Sequence, residues 1–364
     1  MQMSERKKVL HIAEAMGGGV FTYLVELANG MCNDFDVTIA FGIRSETPKN
    51  YETYFDKKVS LIRVKHFTRG LNFMKDLGSY MELRRIVREV NPDIIHMHSS
   101  KAGAIGRMMF RGKKRTMFYT PHGYSFLMED ISGFKKRIFK SIEKMCGRRN
   151  CTTVACGESE WEQSKKVSKK SIFISNGINI DKMQKMLDQT EDFKIEGKKE
   201  FTVYTVGRID YQKNPELFNS FAEQLPQIKF VWIGDGEMKD KLTSPNITVT
   251  GWLNNKEAIQ RAKQYDVFVL ASRYEGLPIS LLEAMYMKKP CIVSNVVGNR
   301  DVIQNNYSGY VCNNIDEIVE VIKRLSKEGV QEEIINNAYQ AIVEHFNSDW
   351  LVEKYGELYN EVCS

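Results

Sequence analysis

The chain reads as an α/β protein made of two doubly wound parallel sheets, and three observations carry that expectation. Short apolar runs alternate with amphipathic stretches along nearly its whole length; the alternation comes as two series split by a polar, charged stretch; and 364 residues are about twice an ordinary domain. Hydrophobic residues at 42%, charged residues at 27%, and 8 prolines beside 25 glycines fit a folded soluble chain and exclude a disordered or fibrous one. No uncharged apolar run approaches the ~18 residues of a membrane span. The first such run, 9–13, is broken by Glu14, so neither a secreted precursor nor an integral membrane protein is expected.

Taken in order, 9–13 is a strand ending in the glycines Gly17, Gly18 and Gly19, and Phe21, Leu24, Leu27, Ala28 and Met31 then recur at helical spacing. Strands are expected at 37–42, 60–64, 93–97, 116–120, 152–155 and 171–175, with a helix at 81–90. Residues 183–199 show no clear apolar stripe and are read as the linker. The second series has strands at 201–206, 229–233, 247–250, 267–271 and 291–294, with helices at 215–224, 255–264 and 280–287. Helical patterns at 316–326, 332–346 and 349–362 close the chain. The expected domains are therefore 1–182 and 200–346, with 347–364 packing back on the first. Two parallel sheets with open carboxyl edges offer one natural ligand site, a cleft between the domains.

Seven scattered cysteines, without a CxxC pair, read as reduced thiols, and the 146, 151, 156 series lacks a nearby histidine for a metal site. Charge is more informative. The net +6 conceals a local excess: residues 101–150 carry 13 Lys and Arg against three acids, a net +10, and the rest of the chain is at −4. Such a segment suits an anionic membrane surface, a polyanion or a solvated helix face. Nucleic acid is disfavoured because Phe110, Phe118, Tyr119, Tyr124, Phe126, Phe134 and Phe139 fit strand and helix packing better than a stacking platform.

Glycines at 17–19 between a strand and a helix let backbone N–H groups approach a phosphate or sugar oxygen, although a tight turn needs the same residues. In VGRIDYQKNP, Arg208 and Lys213 leave the first strand of the second series beside a helix start, where a planar fork and a mobile point charge can clamp a diphosphate; an exposed loop pair is the blander reading. In ASRYEGLPISLLEAM, Glu275 follows a strand and Glu283 lies two turns into the next helix. Gly276 and Pro278 shape a loop whose N–H groups near Ile279 and Ser280 can meet an anion, and Glu283 can accept from vicinal hydroxyls. His96 and His98 alternate at a strand end, without an acidic or cysteine partner to complete a metal set, and His11 reads as a core histidine. Asp34 and Asp36 read as turn residues before the 37–42 strand.

The glycine loop, IIHMHSSKAG from Ile94, TPHG at Thr120, SNGIN at Ser175, Arg208 to Lys213, IGDGE at Ile233 and the Glu275/Glu283 pair together resemble the family 4 glycosyltransferases of the GT-B fold, two Rossmann-like domains facing across a cleft. TPHGYSF and the IEK stretch are most similar to bacterial capsule and exopolysaccharide members. The resemblance implies donor diphosphate binding by Arg208 and Lys213, ribose binding by Glu283, and His122 and Glu275 near the reacting sugar. It also implies that Gly18 and Gly19 approach the phosphates or acceptor, that Gly251 to Leu253 face the base, and that Pro278 and Ile279 belong to the donor loop. VVGNRDVI, with Gly298, Asn299 and Asp301, departs from the family's paired glycines and glutamate.

The activity this resemblance implies is that of a retaining, metal-independent hexosyltransferase. It would use a nucleoside diphosphate sugar, UDP-sugar favoured, as co-substrate and no cofactor. The acceptor would be a polyprenyl-diphosphate-linked or other saccharide, met at the inner face of the cell membrane by a cytoplasmic protein docked peripherally through 101–150. Two other functions fit the same architecture: a nucleotide-sugar epimerase, which needs no acceptor, and a catalytically silent partner subunit, which would not need the basic pair and both glutamates.

Overall fold

The computed structural model describes residues 6–14, 16–44, 47–68, 73–110, 115–127, 131–189 and 200–361. The chain divides into two compact units, Met1–Asn176 with Ser348–Ser364, and Gly177–Asn347. The first contains β1 (Lys8–Ala13), α1 (Gly18–Met31), β2 (Asp36–Phe41), β3 (Ser60–Arg63), α2 (Phe73–Val90), β4 (Ile94–His98), α3 (Ser100–Met109), β5 (Thr116–Thr120), α4 (Gly133–Cys146), β6 (Thr152–Ala155), α5 (Glu158–Val167) and β7 (Ser171–Phe173). Its seven parallel strands lie in the order β3-β2-β1-β4-β5-β6-β7. Both faces of the central strands are covered, which is why every residue of β4 and all but the first of β1 are buried. Along β1, Val9 joins the core under α1, and Leu10 and Ile12 join the core on the opposite face under α2 and α3.

Three helices of this unit escape the apolar pattern. α3 carries Gly103 and Gly106, poor helix formers, because a Cβ at either would overlap the Tyr119 ring or the Met97 sulfur of the sheet beneath. α5 is mostly polar, and α4 is basic, with Phe134, Ile138 and Met145 exposed on it. Phe134, expected to pack, is 73% exposed. Arg107 is not surface charge: it is buried in an ion pair with Glu143 at 2.7 Å. No helix among the described residues is long and apolar enough to cross a membrane.

The second unit runs α6 (Ile180–Asp188), β8 (Thr202–Val206), α7 (Pro215–Gln224), β9 (Lys229–Ile233), β10 (Ile247–Val249), α8 (Asn255–Lys263), β11 (Val267–Leu270), α9 (Ile279–Tyr286), β12 (Cys291–Ser294), β13 (Tyr310–Cys312), α10 (Ile315–Glu328) and α11 (Glu332–His345). Its six parallel strands are ordered β10-β9-β8-β11-β12-β13 around a core of Phe218, Phe221, Phe230, Trp232 and Ile322. The stretch expected as a linker from 183 begins inside α6, which is capped by the Asn179 side chain and bonded to this unit through Gln184–Tyr286 and Lys263–Leu187. The division therefore falls before residue 177 instead of after 182, and 190–199 lie outside the described residues. α12 (Ser348–Glu361) returns to the first unit, burying Leu351, Tyr355 and Tyr359. It crosses α1 at Gly30, where a Cβ would collide with Val352.

Candidate active site

In the second unit three loops at the carboxyl ends of β8, β10 and β11 hold the expected donor-side residues. The β8–α7 loop carries Arg208 and Lys213 and closes with Asn214 in the left-handed region before Pro215 starts α7. Both cations already have acidic partners. Arg208 Nε donates to Asp210 at 2.8 Å, and Lys213 Nζ donates to Glu275 at 2.6 Å. Asp210 also accepts from the Lys213 backbone N–H, so one carboxylate orders both cationic positions. Glu275 is 9% exposed and accepts from Ser272 Oγ at 2.6 Å and Gln212 Nε2 at 3.1 Å as well as from Lys213. Three donors on one buried carboxylate hold it in place and satisfy its charge, so Glu275 serves first to tether Lys213.

The Glu275 loop leads through Pro278 into α9, whose amino end has no side-chain cap and no acid in its first turn. The N–H groups at its start are thereby left for an anion. Glu283 lies one turn further on; burial raises its carboxyl to about 7, against weaker opposing effects from the Asn255 amide, at 3.1 Å, and Lys182. A carboxylate kept short of solvent is suited to accepting from sugar hydroxyls. Gly251, with φ +77, bridges to Gly234, and places Trp252, 63% exposed, and the half-buried Leu253 at the end of β10. The departing VVGNRDVI stretch also has a structural reason: Gly298 packs where a side chain would collide with the Gly276 carbonyl, under the Glu275 loop. Buried Asn299 bonds the Ser294 carbonyl, and Ser294 in turn donates to the Ser272 carbonyl.

In the first unit, α1 starts at Gly18 with φ +56, which favours glycine, and a Cβ at Gly18 or Gly19 would meet nothing within 4 Å. The helix start is therefore open and uncapped. His122 follows β5 with φ +52, a conformation rare and strained for a residue with a Cβ. Its loop is clamped by Glu160 on α5, which accepts from the N–H groups of Gly123 at 2.6 Å and Cys156 at 2.8 Å. Both ring nitrogens of His122 are engaged, Nε2 with His98 and Nδ1 with Cys156 Sγ. The sequence offered no partner for His96 and His98; the structure supplies His11, buried beside them on β1. His96 spends both of its nitrogens on Tyr359 and Thr120.

Sequence reasoning missed Asp210, Gln212, Ser272, Asn255, Glu160 and Cys156. Asp210 was within reach, two positions after Arg208 in the same loop. Glu160 gave no signal, since one glutamate in a polar helix is ordinarily solvated.

Comparison with known proteins agrees with this layout. Residues 17–182 match the Glycosyltransferase Family 4 model and 188–341 the Glycosyl transferases group 1 model. The chain is 30% identical over 336 residues, 84% of its length and 85% of the relative's, to UDP-Gal:alpha-D-GlcNAc-diphosphoundecaprenol alpha-1,3-galactosyltransferase of Escherichia coli. Among solved structures, sucrose-phosphate synthase from Thermosynechococcus elongatus superposes with a TM-score of 0.82 at 16% identity, covering 98% of this chain and 99% of that one. Anabaena Alr3699/HepE in complex with UDP and glucose superposes at 0.77 and 16% identity, covering 98% and 100%.

Proposed function

The chain belongs to the family 4 glycosyltransferases of the GT-B fold, and from that premise we propose that it transfers a hexosyl group from a UDP-sugar to a hydroxyl of a lipid-linked saccharide, with retention at the anomeric carbon. The observation that carries the donor half is the Lys213–Glu275–Gln212–Ser272 network set beside the uncapped start of α9. Arg208 and Lys213 would neutralise the diphosphate from one side and the α9 amino end from the other, so that no divalent metal is needed. Glu283 would accept from the ribose hydroxyls, and the Gly251 to Leu253 stretch would face the base. Gly18 and Gly19 would leave room for phosphate or acceptor oxygens at the α1 amino end.

In the transfer step the acceptor oxygen bonds to the anomeric carbon as the bond to the diphosphate breaks, on the same face of the sugar. The acceptor proton passes to the departing phosphate oxygen. Glu275, held by three donors, would keep Lys213 on that phosphate and not itself attack, and His122 would lie by the reacting sugar, as the family resemblance implies. The preference for UDP and for a diphosphate-linked acceptor draws on the Escherichia coli relative. Docking at an anionic membrane surface draws on α4, where exposed Phe134, Ile138 and Met145 accompany Lys135, Arg137, Lys140 and Lys144. A thermal-shift screen of nucleotides tests the donor half. A ligand at a hundred times its dissociation constant stabilises by about 2.7 kcal/mol, so UDP should raise the melting temperature by several degrees. No shift with any nucleoside diphosphate would remove the donor site.

A further inference from the structure

Neighbouring parallel strands of the first unit line up a set of imidazoles. His11 lies on β1, His98 ends β4 and His122 follows β5; His11 registers with His96, and His98 with Thr120. The line is continuous. His11 Nδ1 meets His98 Nε2 at 3.0 Å, His98 Nδ1 meets His122 Nε2 at 3.1 Å, and His122 Nδ1 meets Cys156 Sγ at 3.4 Å. The His98 and His122 rings are 5.4 Å apart and inclined by 26°, with Tyr23 edge-on to His122 at 4.7 Å. The backbone is strained at His122, with φ +52, and at Ser99, the residue after His98, with φ +69.

Each imidazole–imidazole link needs one N–H and one lone pair, and a neutral imidazole has one of each. Fixing the tautomer of one ring therefore fixes all three. Burial keeps the rings neutral, lowering His11 and His122 to about 3 and pushing His98 well down. Two directions remain, and they differ at the far end of the line, where buried His11 Nε2 has no hydrogen-bond partner among the described residues. One direction strands an N–H there, the other only a lone pair. Orphaned buried N–H groups are the rarer case, so the favoured line has His11 donating to His98, His98 to His122, and His122 Nδ1–H to the Cys156 sulfur.

We propose that the His11–His98–His122–Cys156 line fixes the tautomer and orientation of the His122 ring, with His98 as a positioning residue for glycosyl transfer. With both nitrogens of His122 committed inward, the ring braces its own strained backbone and presents a rigid loop to the sugar. The proposal rests on the reading of His122 as a sugar-side residue.

Nitrogen-15 NMR of histidine-labelled protein reads the line directly, without activity. His122 should be a single neutral tautomer protonated at Nδ1. In His98→Leu that signature should be lost and kcat should fall on the order of 10²-fold, the cost of a misplaced group, with donor KM within about twofold. His98→Asn puts an amide near the lost Nδ1 and should recover most of the rate and the tautomer. Tautomer averaging at His122 in the unaltered protein would overturn the proposal, as would a wild-type kcat in His98→Leu, or no recovery in His98→Asn when both variants melt normally. Calorimetry with UDP keeps the donor reading separate. Absence of UDP binding would fell that reading, while the tautomer measurement still decides the histidine line.

Discussion

Glu283 should weaken the fold in order to serve the site. Its folded carboxyl titrates near 7, against an ordinary 4.5, because burial disfavours the charged form. Between those values the folded state binds the proton that the unfolded chain releases. The penalty is therefore absent below 4.5, grows as pH rises, and is complete above 7. A difference of 2.5 pH units corresponds to an upper limit of roughly 3 kcal/mol. Glu283→Gln, neutral and nearly isosteric, should recover part of it at pH 8, raising the melting temperature by several degrees at 2–4 °C per kcal/mol, a typical value, and should do little at pH 4. The same substitution should weaken nucleotide binding. If ribose is held by the ionised carboxylate, UDP binding should tighten, by up to about tenfold, as pH rises from 6 to 8 through a carboxyl raised to about 7. Calorimetry on both proteins at both pH values isolates this, since the titration of UDP itself is common to the pair. A Gln variant no more stable at pH 8 would show that the Glu283 carboxylate costs the fold nothing, and affinities that run parallel in the two proteins from pH 6 to 8 would show that it does not hold the ribose.

The ion pairs and α4 give two more expected outcomes. Arg208→Ala and Lys213→Ala should each weaken UDP binding by roughly 2–5 kcal/mol in calorimetry, but only Lys213→Ala should also lower thermal stability, because it leaves the buried Glu275 carboxylate without its cation; unchanged affinity in both would take these residues out of the site. Binding to anionic vesicles should fall steeply as salt rises and should drop further in Phe134→Ser/Ile138→Ser, whereas salt-insensitive sedimentation would return α4 to a solvated face.

Particular residues show what the chain made legible. β1, β4, β8 and β11 were readable because strands covered on both faces are mostly apolar, interrupted here only by the lysine at the start of β1, by histidines and by threonines. α3 was hidden by Gly103 and Gly106, whose reason for being there is the close approach to Tyr119 and Met97, a tertiary demand without local trace. At the site, Arg208 and Lys213 stood out as cations in a strand-to-helix loop. That Lys213 pairs with Glu275, 62 positions away, depends on β8 and β11 being sheet neighbours. His96 and His98 could be placed on one strand face by their spacing of two, but His11 joins them only through the β1–β4 register.

Incubating the purified chain with a UDP-hexose and a diphosphoundecaprenol-linked saccharide, in excess chelator, tests transfer most directly. Acceptor-dependent UDP release should appear, and NMR of the first-formed product should show the anomeric configuration of the donor preserved. An inverted centre, loss of activity restored by magnesium, or an epimerised nucleotide sugar formed without acceptor would each contradict the proposed reaction.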